Sequence, residues 1–352
     1  MKVRIHFQSF LNWTVGIQLF LWTLLLPYTT AFPFEIPPDL AEYALKANDS
    51  GIPHRHLSKK ALDYPGVTFS STCDGAQQRY IKEELDEIKL VLVQAQQQLR
   101  IIRNVIKEKE QPKDWGTRYS ENRRLLNTFQ RFIGWIKFNP ATKELPEQRL
   151  NSWVTIAQRM TLLSCVYKDT RPEGEASTGL RVSATAKLCH ESESAHGWAL
   201  KNDVTLKDEI TICPSTFRRT NTANKLSQYA NDMAALNGKT LDDMKFTAAA
   251  GTLLHELTHC EHILGEDKTG DQVATLRGRT RAAYQAYNIA ALAWTRPELA
   301  VRNADTLAYF ALALYYSRCD WSGKGAKCGE DSIADYKRKT TSGEDQYLPF
   351  IY

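Results

Sequence analysis

Residues 251–262 read Gly-Thr-Leu-Leu-His-Glu-Leu-Thr-His-Cys-Glu-His. On a helix, His255 and His259 stand four apart and project from one face, one turn from each other. Two imidazoles at that spacing reach a single tetrahedral zinc ion. Glu256, beside the first histidine, points towards a water on such an ion and can take its proton while the metal lowers the water's pKa. This is the HExxH pattern of zinc peptidases. A surface helix with two solvated histidines would carry the same spacing. Here the preceding run, Phe246–Leu254, is small and apolar, which suits a buried helix instead.

A catalytic zinc site takes a third protein ligand. His262 follows His259 by three residues, but three histidines on one helix do not readily surround a tetrahedral ion. A ligand from the following loop fits the geometry better. Gly265 ends the helix, and Glu266, Asp267 and Asp271 are the carboxylates on offer there. Other clusters carry less. Cys189-His190-Glu191 through Glu193 and His196 reads as a solvated polar loop before it reads as a second ion site. Cys260 reads as half of a disulfide or a small buried residue. The run Lys337-Arg338-Lys339 reads as solvated, and there is no GxSxG and no glycine-rich phosphate loop.

The segments Ile210-Thr-Ile-Cys-Pro214, His255-Glu-Leu-Thr-His259 and Asn303-Ala-Asp305, with Tyr309 and Tyr315, together resemble the deuterolysin family. These aspzincins are secreted fungal zinc metalloendopeptidases that include peptidyl-Lys endopeptidases. The resemblance spans roughly residues 115–319 and is strongest from Ile210 onwards. Its third zinc ligand is the aspartate of a GTxDxxYG motif, which maps onto Lys268-Thr-Gly-Asp271-Gln-Val-Ala274-Thr275. The resemblance therefore implies one zinc ion held by His255, His259 and Asp271. The chain departs from the motif at both glycines and at the tyrosine, here Ala274. That tyrosine helps polarise the scissile carbonyl in the family, and the nearby phenols in this chain are Tyr284 and Tyr287. Asn303 and Asp305 are expected as helix N-caps rather than as catalytic groups.

Stepping by three and four, Ile81, Leu85, Ile88, Leu92, Leu99 and Ile102 predict one long amphipathic helix over about 76–110. Residues 114–159 read as mostly helical with a break at Pro140–Pro146, and 165–203 as a polar, loop-rich region with short strands. Glu209–Cys213 is the best short strand and a candidate edge for aligning a substrate. Helices are expected over Thr240–Leu264, Gly278–Ala293 and Asn303–Tyr316. The expected class is α+β and predominantly helical. The resemblance implies a zincin-like metallopeptidase domain, with the small strand region before the active-site helix.

Lys2 and Arg4, the apolar run Val15–Leu26 and the small residues Thr29 and Ala31 predict a cleaved secretory signal over 1–31. Its apolar core is too short to span a bilayer comfortably, so no stable membrane association is expected after cleavage. Residues 32–112 are read as a propeptide-like or N-terminal extension carrying the long helix, 113–328 as the catalytic domain, and 329–352 as a polar tail. Asn48-Asp-Ser50 is a glycosylation sequon.

Secretion also makes the seven cysteines candidates for pairing, with one left over. Cys319 with Cys328 is the easiest local pair and Cys189 with Cys213 the next. With 43% hydrophobic and 24% charged residues, the 352-residue chain is ordinary globular material, neither disordered nor multispanning. Beyond the signal, 43 basic residues face 40 acidic ones, and no basic face argues for nucleic acid. The expected activity is therefore that of a secreted, extracellular zinc metalloendopeptidase acting on protein or peptide substrates. A second reading, prompted by Ala274, is a weakly active or inactive secreted binding protein on the same fold. Glu256 separates the two, because a binding module has no use for a base beside the metal.

Overall fold

In the computed structural model the described residues are 67–107, 117–134, 155–160, 163, 180–184, 189, 196–201, 208–219, 225–276 and 278–329. The expected signal 1–31, the sequon at Asn48, Cys165, residues 190–195 and the tail beyond 329 lie outside them. All described residues belong to one unit, Ala44–Tyr352.

Strand β1 (Val67–Phe69) leads into the 33-residue helix α1 (Gly75–Lys107). Asp74 and Gln77 start that helix by exchanging side-chain-to-backbone hydrogen bonds of 2.8 and 3.0 Å, a reciprocal cap that satisfies two otherwise orphaned amides. The predicted apolar stripe from Ile81 to Ile102 is fully buried. Helix α2 (Thr117–Ile133) follows, then a helical stretch over 155–160. Strands β2 (Leu180–Ser183), β3 (Gly197–Lys201) and β4 (Asp208–Ile212) join β1 in a four-stranded sheet of order β1-β2-β4-β3. Its pairings are parallel except for the antiparallel β3–β4 ladder.

The strand expected as an edge, β4, is interior. All its residues but Glu209 are buried, as suits a strand hydrogen-bonded on both sides. The edge is β3, from a region where the sequence predicted only unspecified short strands.

Short helices α3 (Pro214–Arg219), α4 (Leu226–Tyr229), α5 (Met233–Leu236) and α6 (Leu241–Lys245) lead to α7 (Ala249–His259) and α8 (Glu261–Leu264). The single helix expected over Thr240–Leu264 is thus three. Extended backbone at Ala248 (φ −136°, ψ 158°) and at Cys260 (φ −72°, ψ 116°) interrupts it. A hairpin of β5 (Val273–Leu276) and β6 (Arg279–Ala282) then turns through two residues, with Gly278 at φ +74°. That left-handed turn displaces the helix expected from Gly278, which begins later as α9 (Gln285–Thr295).

Helices α10 (Pro297–Ala300) and α11 (Ala304–Tyr315) follow, and every residue of α11 is buried. Phe310 packs edge-on against Phe129 and beside Phe132 of α2, with centroids 5.8 and 6.4 Å away. The pair β7 (Cys319–Asp320) and β8 (Lys327–Cys328) closes the described chain. Both predicted disulfides form, Cys189–Cys213 and Cys319–Cys328, while Cys73 and Cys260 are buried thiols.

The result is a mostly helical α+β architecture. Strand β1 pairs with β2, and α1 packs on both α7 and α11, so the long helix is part of the same core. Among the described residues, no helix is long and apolar enough to cross a membrane.

Candidate metal centre

Helix α7 is buried from Ala249 to Thr258. His255 and His259 leave it one turn apart, as their spacing dictates, with ring centroids 4.9 Å apart. Their Nε2 atoms lie 3.2 Å from each other. Asp271 Oδ1, from the loop after α8, lies 3.6 Å from the first and 3.5 Å from the second. Three ligands of a tetrahedral zinc at roughly 2.0–2.1 Å are about 3.3 Å apart, so this triangle has the dimensions such an ion requires. Glu256 adds a carboxylate beside it, within 4.8 Å of both histidine ligand atoms.

Each imidazole is held by its other nitrogen. His259 Nδ1 donates to the Thr269 carbonyl at 3.0 Å. His255 Nδ1 donates to Asp305 Oδ1 at 2.6 Å. Both rings therefore turn their Nε2 lone pairs to the same point, the arrangement that fixes tautomer and orientation in metal sites.

Thr269 is itself anchored. Its amide donates to the Thr258 carbonyl at 2.9 Å and its hydroxyl to the Thr258 hydroxyl at 2.7 Å. The loop carrying Asp271 is pinned at its other end by Asn303, whose Oδ1 accepts from Gln272 N at 3.0 Å. Asn303 Nδ2 donates to the Ala283 carbonyl at 3.1 Å, and a backbone bridge joins Gly270 to Asn303.

Those bonds correct the capping roles expected of Asn303 and Asp305. Asn303 occupies the N-cap position of α11, but its side chain makes no capping bond and staples the Asp271 loop instead. Asp305, in the first turn of a wholly buried helix, faces His255 and forms an ion pair with Lys245. Burial opposes its charge, but Lys245 and His255 outweigh it and hold its carboxyl far below the usual range.

Glu256 is 5% exposed, and burial pushes its carboxyl up despite the two histidines and Lys245. It packs under the edge strand. A Cβ placed on Gly197 would lie 3.0 Å from both Glu256 Cγ and Oε1, so any larger residue there would make that carboxylate give by a few tenths of an ångström.

Tyr284 closes the opposite side. Its ring stands edge-on to His255 with centroids 6.1 Å apart. Burial and the Asp271 carboxylate both push the phenol well above its usual pKa. For Asp271, burial works against the charge, but His259, His255 and Tyr284 together hold its pKa below the usual value. Ala274, where the motif has a tyrosine, is 4% exposed and packs away among Ala283, Ala291 and Leu292.

Glu266 and Asp267, the other carboxylates offered by the sequence, are exposed on a 3₁₀ turn, where buried Arg159 binds the Asp267 carbonyl at 2.8 Å. Sequence reasoning missed Asp305, Lys245, Thr269 and Gly197 as site residues. Asp305 carried a signal through the Asn-Ala-Asp segment and Thr269 as the retained threonine of the motif around Asp271, whereas Lys245 and Gly197 carried none.

No protein-family description matches the chain, and no curated protein matches it. Among solved structures it is similar to one described as a zinc peptidase from Grifola frondosa, at 15% identity and a TM-score of 0.33. That similarity covers 68% of this chain and 97% of the other. A likeness at this level bears on neither fold nor chemistry, and the site stands on its own geometry.

Proposed function

We propose that this protein is a secreted zinc-dependent endopeptidase with a zincin-like domain, acting on protein or peptide substrates. The observation that carries the reading is the triangle of His255 Nε2, His259 Nε2 and Asp271 Oδ1 with Glu256 beside it. A zinc ion bound there would supply Lewis acidity, acidifying a water and polarising a carbonyl.

The chain's own groups do the rest. Glu256 takes the proton of the attacking water and passes it to the departing amine, a task for which a carboxyl raised by burial is well matched. Tyr284, exposed at the mouth of the site, is the phenol placed to donate to the developing oxyanion. Thr269 and Asp305 keep both imidazoles turned to the metal. Among the described residues β3 is an edge strand close to Glu256, along which an extended peptide can lie. The two disulfides fit an oxidising, extracellular destination.

The test is cleavage of an unstructured protein by the secreted chain, alone, with chelator, and as Glu256→Gln. Chelation is expected to abolish turnover and to be reversed by zinc. The substitution is expected to lower turnover about 10²–10⁴-fold with zinc retained. A wild-type chain that binds zinc but cleaves nothing sinks the peptidase reading and leaves the binding-protein one.

A further inference from the structure

We infer that Lys245 is a positioning residue of the metal centre, its ammonium holding Asp305 in the place from which Asp305 orients His255. The inference rests on the metal-site reading above, but not on peptidase activity.

The connection is atomic. Lys245 Nζ pairs with Asp305 Oδ1, and that same oxygen accepts the His255 Nδ1 proton at 2.6 Å. The second carboxylate oxygen accepts from Gln285 N at 3.3 Å. Gln285 is the one non-glycine residue with a positive φ (68°) among the described residues, so the backbone is held in a costly conformation where it tethers Asp305. Lys245 and Asp305 side chains are only 9% and 2% exposed. A lysine withdrawn from water this far needs its partners. Besides Asp305 it has two aromatic faces, Tyr309 at 5.1 Å and Phe246 at 5.7 Å from Nζ.

The main chain of Lys245 is fixed as firmly as its tip. Thr240 and Asp243 cap α6 reciprocally, which sets where the helix begins and where Lys245 ends it. Helix α7 then passes so close that a Cβ on Gly251 would lie 2.9 Å from Lys245 Cγ and run into the Lys245 carbonyl. Lys245 is thus clamped between the metal-bearing helix and α11, with one route for its charge. An ion pair remote from the site would affect folding alone. Sharing an oxygen with His255 ties this one to the ligand. With the ammonium removed, Asp305 keeps only Gln285 N and His255 as partners, and the imidazole loses a fixed acceptor.

Zinc affinity, measured by competition with a chromophoric chelator, and the Co²⁺ absorption spectrum test the assignment. Circular dichroism and thermal unfolding of the metal-free proteins check folding. Lys245→Met is expected to bind zinc about 10–100-fold more weakly and to shift the Co²⁺ bands, the size of effect that loss of an outer-layer partner has in other metal sites. Lys245→Gln, which keeps a donor for Asp305, is expected to recover most of the affinity. Folded Lys245→Met with wild-type affinity and spectrum overturns the inference. If Lys245→Met does not fold, the double variant Lys245→Met/Asp305→Asn, which leaves no unpaired buried charge, decides. It is expected to stay at least about 10-fold weaker, and wild-type affinity in it overturns the inference. A wild-type chain that binds no zinc overturns the metal-site reading and this inference together. Wild-type binding with normal affinity in the folded variants overturns this inference alone.

Discussion

Gly197 faces Glu256 across the boundary between sheet and helix, and a side chain at position 197 would press on the Glu256 carboxylate. Gly197→Ala is therefore expected to displace Glu256 while leaving the imidazoles alone. Turnover should fall at least about 10-fold with zinc affinity unchanged, the signature of losing general-base geometry and not the ion. Parallel assays of kcat and zinc binding check it, and equal losses in both would contradict it. Asp305 makes a second prediction at this scale. Its folded-state pKa is depressed below the ordinary aspartate value of about 3.9. A depressed carboxylate pKa stabilises the fold above that ordinary value, and the stabilisation drains away as pH falls through the depressed one. Metal-free wild type should thus melt well above Asp305→Asn at neutral pH, with the gap narrowing steadily below about pH 4. Melting temperatures of both proteins from pH 7 to 2 measure it. Of these residues, the histidine pair and Glu256 were legible because four-residue spacing on a helix is local information. Asp305 meets His255 across 50 residues of chain and Gly197 meets Glu256 from another sheet strand. No local pattern encodes either contact.

Helix α7 has no side-chain cap of its own, since Ala248 holds the N-cap position. Its first free amides are met by α1 instead. Glu84, wholly buried, accepts from Ala250 N at 2.7 Å, and the Tyr80 hydroxyl, one turn earlier, accepts from Ala249 N at 3.4 Å. Lys225 completes the Glu84 site at 3.1 Å. Glu84→Ala is expected to cost about 1–3 kcal/mol, because a buried amide and a lysine both lose an acceptor. Denaturant unfolding of wild type and variant gives the number, and a cost near zero would sink the capping role. The same contacts argue that any maturing cut falls upstream of α1. Intact mass of the mature protein should show a chain still containing residues 67–107, and a product beginning after 107 would contradict this. The helix was legible from its apolar stripe, with ends within three residues of those expected. That its partner is α7, the helix of the two candidate histidine ligands, was not, because Glu84 and Ala250 are 166 positions apart. The breaks at Ala248 and Cys260 were hidden for the same reason: both residues suit a helix, and tertiary contacts set their extended backbone.

For the molecule as a whole, the cysteine pairs nearest in sequence were the readable ones, at separations of 9 and 24 residues. The order of the sheet was not readable, because β1 and β2 are brought together over more than a hundred residues. The candidate ligands come from two places in this architecture. Two belong to the buried helix α7. The third rides on a loop fastened by Asn303 to the start of α11, which runs through the core. On the proposed reading, an ion held by them would close a loop of the tertiary structure, so binding and folding would share one free energy. Free zinc would then act on the folded population by mass action. At a hundred times its dissociation constant it adds about 2.7 kcal/mol, provided the unfolded chain does not bind it. A compartment's zinc supply would thereby set how long each copy of this chain survives there, before any substrate is met.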